Sequence, residues 1–207
     1  MNGPKDHSAE ATVGTIRFAR TFSNIVSPPV IFAVLGLALS LAEAGLWPGF
    51  LWAAVFGFFV SLAPILFILF MMRIGRITDL HMNTRQERYL PYLVSIVSSA
   101  VVLLALYLFD GPVLLSCLTI LNIVVLFVLG LVNTFWLISI HTASISAATV
   151  IFGLVFGSGA AVAFSPFLVS VCWARLYLRR HTPGQVVAGL LLGLVATLAL
   201  NYAGCFS

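Results

Sequence analysis

The chain has 207 residues, of which 61% are hydrophobic and only 8% are charged, and its mean hydropathy is +1.14. A soluble domain of this length cannot bury so much apolar surface, so the composition excludes a soluble globular protein. The net charge of +4 is no sign of nucleic-acid binding, because the sequence has no basic stripe interleaved with aromatic residues. The composition predicts a membrane protein whose partner is the bilayer and not nucleic acid.

The basic residues of the chain lie in three short stretches, separated by long runs that are almost uncharged. They are Lys5, Arg17, Arg20, Arg73, Arg76, Arg85, Arg88, Arg175, Arg179 and Arg180. Charge is kept out of apolar runs because it is costly in hydrocarbon, and basic residues collect on the cytoplasmic side of membrane proteins. The three stretches are therefore expected to face the cytoplasm.

Residues 1–25 form a polar arm. Between residues 11 and 24 the apolar and basic residues partly segregate at helical spacing, so an amphipathic interfacial helix and a disordered arm are both compatible with the pattern. No cleavable signal peptide is expected, because the N-terminus is polar and the first apolar run is long enough to span.

Residues 26–207 are predicted to form a transmembrane helix bundle. A spanning helix needs roughly 20 apolar residues. The candidate runs are residues 26–44, 49–72, 91–109, 113–132, 142–156, 160–178 and 185–202. Two breaks, at Pro28-Pro29 and at the Gly-rich turn 157–159, make six spans an alternative to seven. The predicted fold class is an all-α, polytopic membrane bundle with six to seven transmembrane spans.

With seven spans, the arm, the 73–88 loop, the 139–141 junction and the 175–181 loop all fall on one side. The positive charges identify this side as the cytoplasmic face of the cell (inner) membrane. Cys117, Cys172 and Cys205 are widely spaced in or near apolar runs. Their spacing suggests neither a disulfide framework nor a thiolate metal site, and they are interpreted as small apolar residues.

The strongest local signal is a basic stretch followed by a histidine at the mouth of the last span. Arg179 and Arg180 are interpreted as basic residues that fix the orientation of the chain in the membrane, but this does not explain His181. The segment resembles the third signature of the type 2 phosphatidic acid phosphatase superfamily, which is Ser-Arg, five residues, His, three residues, Asp. This chain has Ala174-Arg175, His181 and Gln185 at those places, so two of the four positions agree.

Two further segments resemble the other signatures of that superfamily. The second signature is Pro-Ser-Gly-His. Ser139 and His141, at the start of another span, match its Ser and His. The first, Lys, six residues, Arg-Pro, is the weakest match: Arg88 takes the Arg position, His81 stands for Lys, and Pro91 is displaced by two residues. The resemblance covers residues 79 to about 194, in family order and on one predicted face.

The resemblance implies a membrane-embedded, metal-independent lipid phosphatase without a cofactor. Its substrate would be a phosphomonoester or diphosphate of an isoprenyl or phosphatidate-type lipid. His181 would attack phosphorus and form a phosphohistidine, and protonated His141 would donate to the leaving group. Gln185 stands where the family has the Asp that supports the nucleophile. The implied phosphate-binding residues are Arg175, Arg85, Arg88 and Ser139.

Gln185 can accept a hydrogen bond but brings no negative charge, so either the activity is modest or another carboxylate substitutes. Asp79 and Glu87 are candidates, although both also fit pairing with neighbouring arginines. A catalytically weak or inactive relative that binds lipid phosphates or plays a structural role is the alternative. A transporter is disfavoured because the spans lack charged residues away from their ends. Oligomeric state stays open, since the glycines fit packing within one chain equally well.

Overall fold

A computed structural model describes residues 11–77 and 86–206. Within these ranges the chain is helical throughout, with short connections and no strand, so the predicted all-α bundle is confirmed. The helices are α1 (Ala11–Ile25), α2 (Pro28–Ala44), α3 (Leu46–Arg73), α4 (Gln86–Leu108), α5 (Val113–Asn133), α6 (Ile140–Phe156), α7 (Ser158–Tyr177) and α8 (Pro183–Tyr202). Each of the seven predicted runs is a helix whose bounds differ from the prediction by a few residues.

Five described helices, α3, α4, α5, α7 and α8, are long and apolar enough to cross a membrane. The number becomes six if α1 and α2, which meet at a bend of 45°, form one broken span. Helix α6 is apolar but has only 17 residues. At 1.5 Å per residue it is roughly 26 Å long, at the short end of the spanning range. The chain is a multi-pass membrane protein.

The bend between α1 and α2 has a local cause. Ser27 precedes Pro28 and has an extended backbone (φ −86°, ψ 157°), which is the conformation that a residue before proline prefers. The arm that the sequence left as either helix or disorder is a helix from Ala11 to Ile25. Its Ala19 is fully buried against Ala174 and Leu178, so α1 packs on the end of α7.

Helix α3 changes its winding halfway, with a π-helical section at Gly57–Leu62. Here Ser61 Oγ donates a 2.7 Å hydrogen bond to the Pro29 carbonyl at the start of α2. That carbonyl lies in the first turn after the α1–α2 bend. The bond therefore ties the middle of α3 to the beginning of α2, next to the cavity described below.

Helices α6 and α8 approach each other closely through small residues. Gly189 lies so near Thr142 and the Ser139 carbonyl that a Cβ atom would collide with both. Two hydrogen bonds then cross the contact, from Thr142 Oγ1 to the Val186 carbonyl at 3.1 Å and from Ser146 Oγ to the Leu190 carbonyl at 2.8 Å. This contact places the N-terminal ends of α6 and α8 side by side.

The prediction for two of the three cysteines was wrong. Cys117 in the first turns of α5 and Cys205 after α8 form a disulfide with a Cα–Cα distance of 5.7 Å. The two residues are 88 positions apart, and the sequence alone does not reveal that the start of α5 and the end of α8 meet at one face of the bundle. Cys172 is a free cysteine.

Candidate active site

Four residues from distant parts of the sequence line one cavity. Arg88 comes from the start of α4, His141 from the start of α6, Arg175 from the end of α7 and His181 from the loop before α8. The cavity has a volume of about 350 Å³. All four side chains are at most 9% exposed. The structure thus brings together the charged and imidazole groups that sequence analysis selected from three separate motifs.

Gln185 positions the imidazole of His181 and determines its tautomer. Gln185 Oε1 accepts a 3.0 Å hydrogen bond from the Thr182 amide, so this atom is an acceptor. The same oxygen lies 3.3 Å from His181 Nδ1, which must therefore carry the proton. In the neutral ring with the proton on Nδ1, the lone pair is on Nε2. Thr182 and Gln185 form a capping box at the start of α8, which holds Gln185 in place.

The electrostatic environment keeps His181 neutral. Burial, followed by the positive charges of Arg175 and Arg88, lowers the pKa of His181 to about 3. Hydrogen bonds to Gln185 and to the Leu137 backbone oppose the shift but do not cancel it. A neutral imidazole with a free lone pair is the form that can attack an electrophile. At neutral pH the fold therefore keeps His181 in its nucleophilic form.

Arg175 is a buried cation that lacks a counter-charge in the described part of the chain. It is 3% exposed, and its guanidinium makes one hydrogen bond there, from Nη1 to Ser23 Oγ at 3.1 Å. Within residues 11–77 and 86–206, Nε has no hydrogen-bond partner. In the same part of the chain, the charges of Arg180 and Arg88 repel the guanidinium. An unneutralised buried charge is costly, so this arrangement favours binding of an anion in the cavity.

Arg88 enters the same cavity from the first turn of α4. One turn along the helix, the buried Tyr92 also lines the cavity, and the two side chains are hydrogen bonded. This contact orients the guanidinium toward the cavity. The predicted phosphate-binding role of Arg88 is compatible with this position.

The other two predicted phosphate-binding residues are Ser139 and Arg85. Ser139 is fully buried and caps α6, because its Oγ accepts a 3.4 Å hydrogen bond from the Thr142 amide. Its predicted contact with phosphate stays a prediction. Arg85, together with Asp79 and His81, lies outside the described residues.

Ala174 replaces the serine of the resembled signature, and its surroundings explain the small side chain. It is fully buried in the contact between α1 and α7. A hydroxyl there would face Ala19 and Leu178 instead of the cavity. The alanine therefore belongs to the docking of α1.

Sequence analysis missed several residues at this site. Ser23, at the end of α1, contacts Arg175, while Asn24 and Ser27 line the cavity. The signal available was the i, i+4 spacing of the small residues Ala19 and Ser23, which marks a face that packs closely. The arm was interpreted from its large apolar and basic residues, and its arginines Arg17 and Arg20 are exposed.

The rest of the cavity wall is apolar and extends toward the middle of the bundle. It is formed mainly by Phe32, Val60, Ile65, Ile68, Leu126 and Ile140. Two polar residues, Ser95 and Asn122, interrupt it. Asn122 Nδ2 donates a 2.9 Å hydrogen bond to Ser99 Oγ. Among the described residues, no group of three or more His, Cys, Asp or Glu side chains is arranged to hold a metal ion.

No family model matches this chain, and no curated protein or solved structure shows significant similarity to it. The chemical role of the site is therefore inferred from its own geometry. That geometry combines a neutral imidazole with a defined tautomer, a second buried imidazole, two buried guanidinium groups and an apolar wall. These groups suit a ligand with a phosphate at one end and a hydrocarbon chain at the other.

Proposed function

We propose that this protein is a membrane-embedded lipid phosphate phosphatase that works through a phosphohistidine intermediate. The observation that carries the proposal is the placement of neutral His181 beside Arg175, a cation without a counter-charge among the described residues, in one cavity. A lysine or arginine cluster alone would fit simple anion binding. A neutral imidazole held by Gln185 next to the anion site adds a nucleophile.

The proposed reaction has two displacements. His181 Nε2 uses its lone pair to form an N–P bond, and the bond between the attacked phosphorus and the leaving oxygen breaks. The leaving group, an alkoxide from a monoester or a lipid phosphate from a diphosphate, takes a proton from His141, which must be protonated at this stage. Water then attacks the phosphohistidine, its proton passes to His141, and phosphate and neutral His181 are released. One difficult displacement thus becomes two easier ones.

The proposed stabilisation of the phosphoryl group comes from fixed positive charge. Arg175 and Arg88 are planar guanidinium groups that bind phosphate oxygens through paired hydrogen bonds. The N-terminal ends of α6 and α8 lie beside each other at the cavity, and helix N-termini favour negative charge. The guanidinium charges and the helix dipoles are both in place before the substrate binds. Such preorganised groups stabilise the charge of a transition state most effectively.

The substrate proposed is a phosphomonoester or diphosphate on an amphiphile, of isoprenyl or phosphatidate type. Its phosphate would contact Arg175 and Arg88, and its hydrocarbon chain would follow the wall that includes Phe32, Val60 and Leu126. The described loops are short, so a polar substrate would find few contacts beyond the head-group site. An apolar tail instead gains burial in the cavity.

The proposal can be tested by phosphate release from purified protein in detergent. The panel contains isoprenyl phosphates, isoprenyl diphosphates and phosphatidate, with a soluble phosphomonoester such as glycerol phosphate as the control. Release from at least one lipid, at a rate at least about tenfold above that from the soluble ester, is expected because the tail contributes binding energy. Release from the soluble ester alone, or from no compound, contradicts the proposal.

We further propose that the site opens at the cytoplasmic face of the cell membrane. Arg73 and Arg76, at the end of α3, and Arg180, after α7, lie near helix ends, as the cavity-lining Arg88 and His181 do. Basic residues collect on the cytoplasmic side of a membrane. The Cys117–Cys205 disulfide lies at the opposite end of α5 and α8. Disulfides persist in oxidising compartments, so this bond supports placing its face outside the cytoplasm.

Orientation can be tested with a membrane-impermeant thiol reagent on intact cells. A cysteine introduced as Asp110→Cys, in the α4–α5 turn, is expected to react from outside. A cysteine introduced as Arg76→Cys is expected to react only after the membrane is opened. The unchanged protein, in which Cys172 is the free cysteine among the described residues, gives the background labelling. Reaction of Arg76→Cys alone on intact cells contradicts the proposed orientation.

A second candidate function is lipid-phosphate binding without turnover. It is favoured by one observation, the neutral Gln185 at the place where a carboxylate would stabilise the charge that develops on His181. Tight binding of a lipid phosphate by the unchanged protein, with no phosphate release, would support this candidate over the phosphatase.

A further inference from the structure

The N-terminal helix α1 contributes a side chain to the anion site. Ser23 Oγ accepts the hydrogen bond from Arg175 Nη1 at 3.1 Å, across a sequence separation of 152 residues. Ser23 is 2% exposed and Arg175 is 3% exposed. Within the described residues, this hydrogen bond ties the guanidinium to α1.

Helix α1 is held on α7 by contacts that place Ser23 next to Arg175. Ala19, one turn before Ser23, is fully buried against Ala174, which directly precedes Arg175. On the outer side of the same contact, the rings of Phe18 and Trp173 lie 6.4 Å apart. Because two alanines face each other, the helices can approach closely. A short serine side chain on α1 is then long enough to meet Arg175.

The bend after α1 brings further atoms of this segment to the cavity. Ser27 is extended because Pro28 follows it, and both residues line the cavity together with Asn24. The end of α1 therefore closes the cavity beside Arg175. Nothing in the three resembled motifs involves this segment.

We infer that Ser23 is a positioning residue that holds the Arg175 guanidinium in the orientation that binds phosphate. The inference rests on the proposed binding of a lipid phosphate at Arg175. Through the Ser23 bond, Nη1 is fixed toward α1, while Nε has no partner in the part of the chain that the structure describes. Nε and the remaining Nη2 together form the edge of the guanidinium that binds an oxyanion through two parallel hydrogen bonds.

The test measures binding of dodecylphosphonate, whose P–C bond resists hydrolysis, to purified protein in detergent. Ser23→Ala is expected to raise the Kd about tenfold, which corresponds to one hydrogen bond to a charged group. Ser23→Thr, which keeps the hydroxyl, is expected to stay close to the unchanged protein. In an Arg175→Lys background, Ser23→Ala is expected to add less than twofold, because the bond it removes is already lost.

Ser40→Ala is the matched control, since Ser40 is also fully buried in a helix and its Oγ has no hydrogen-bond partner among the described residues. It should leave the Kd unchanged. Equal Kd values for the unchanged protein and Ser23→Ala overturn the inference, as does an undiminished tenfold effect in the Arg175→Lys background. Binding that depends on Ser23, without phosphate release from any lipid, upholds the inference and overturns the phosphatase. If the unchanged protein does not bind the phosphonate, both are overturned.

Discussion

Replacement of His181 by asparagine is expected to lower phosphate release by at least about 10⁴-fold, the scale of loss when a nucleophile that forms a covalent intermediate is removed. Asparagine keeps a polar side chain at a position that is 7% exposed, so the cavity is preserved better than with alanine. The measurement is the initial rate of phosphate release from the best lipid substrate. No other described residue offers a neutral imidazole with a defined tautomer.

The control for His181→Asn is ligand binding. Because Arg175 and Arg88 are unchanged, the variant should still bind dodecylphosphonate with a Kd within a few-fold of the unchanged protein. His141→Ala gives a second comparison, since loss of the proton donor should slow release without preventing attack on good leaving groups. A His181→Asn protein that binds normally and retains more than a tenth of the rate contradicts the role of His181 as nucleophile.

Replacement of Gln185 by glutamate is expected to raise the rate by about tenfold or more, since the amide-for-carboxylate change in the Ser-His-Asp triad of serine proteases costs about 10⁴-fold. Glutamate has the same shape, so its oxygen can keep the 3.3 Å contact with His181 Nδ1 and the 3.0 Å contact with the Thr182 amide. A glutamate at this third position of a helix is also preferred in a capping box. The negative charge stabilises the cationic phosphohistidine.

The same substitution changes the protonation of His181 in a defined direction. A carboxylate beside the ring favours the charged imidazole and raises its pKa from about 3. The imidazole is nucleophilic above its pKa, so the acid side of the pH–rate profile should move to higher pH in Gln185→Glu. Gln185→Met, which removes the hydrogen bond without adding charge, should lower the rate. A rate for Gln185→Glu that is below that of the unchanged protein, at every pH tested, contradicts this account.

Local spacing accounts for the part of the site that sequence analysis predicted. His181 and Gln185 are four residues apart at the start of α8, and such pairs meet on one face of a helix turn. Arg175, six residues before His181, is carried to the same cavity by the turn between α7 and α8. Arg88 and His141 were assigned to this site from the resemblance and the predicted sidedness, and the fold brings both to the cavity.

Long-range partners account for what was missed. The Ser23–Arg175 contact spans 152 residues and the Cys117–Cys205 bond spans 88. No sequence pattern identifies the partner in either pair, because each pairing depends on which helices become neighbours in the bundle. The helices themselves were predictable, since their apolar runs are long. Ser139 shows a related difficulty: a serine before a helix has the same sequence signature whether it caps the helix or contacts a ligand.

The most direct test of the central claim is to trap the phosphorylated enzyme. Purified protein is mixed with a ³²P-labelled lipid phosphate, quenched in alkali within a fraction of a turnover, and digested for mass spectrometry. The account predicts an acid-labile, alkali-stable phosphate on His181 that is absent from His181→Asn. Phosphate release without any labelled protein, or a label on His141 in its place, would contradict it.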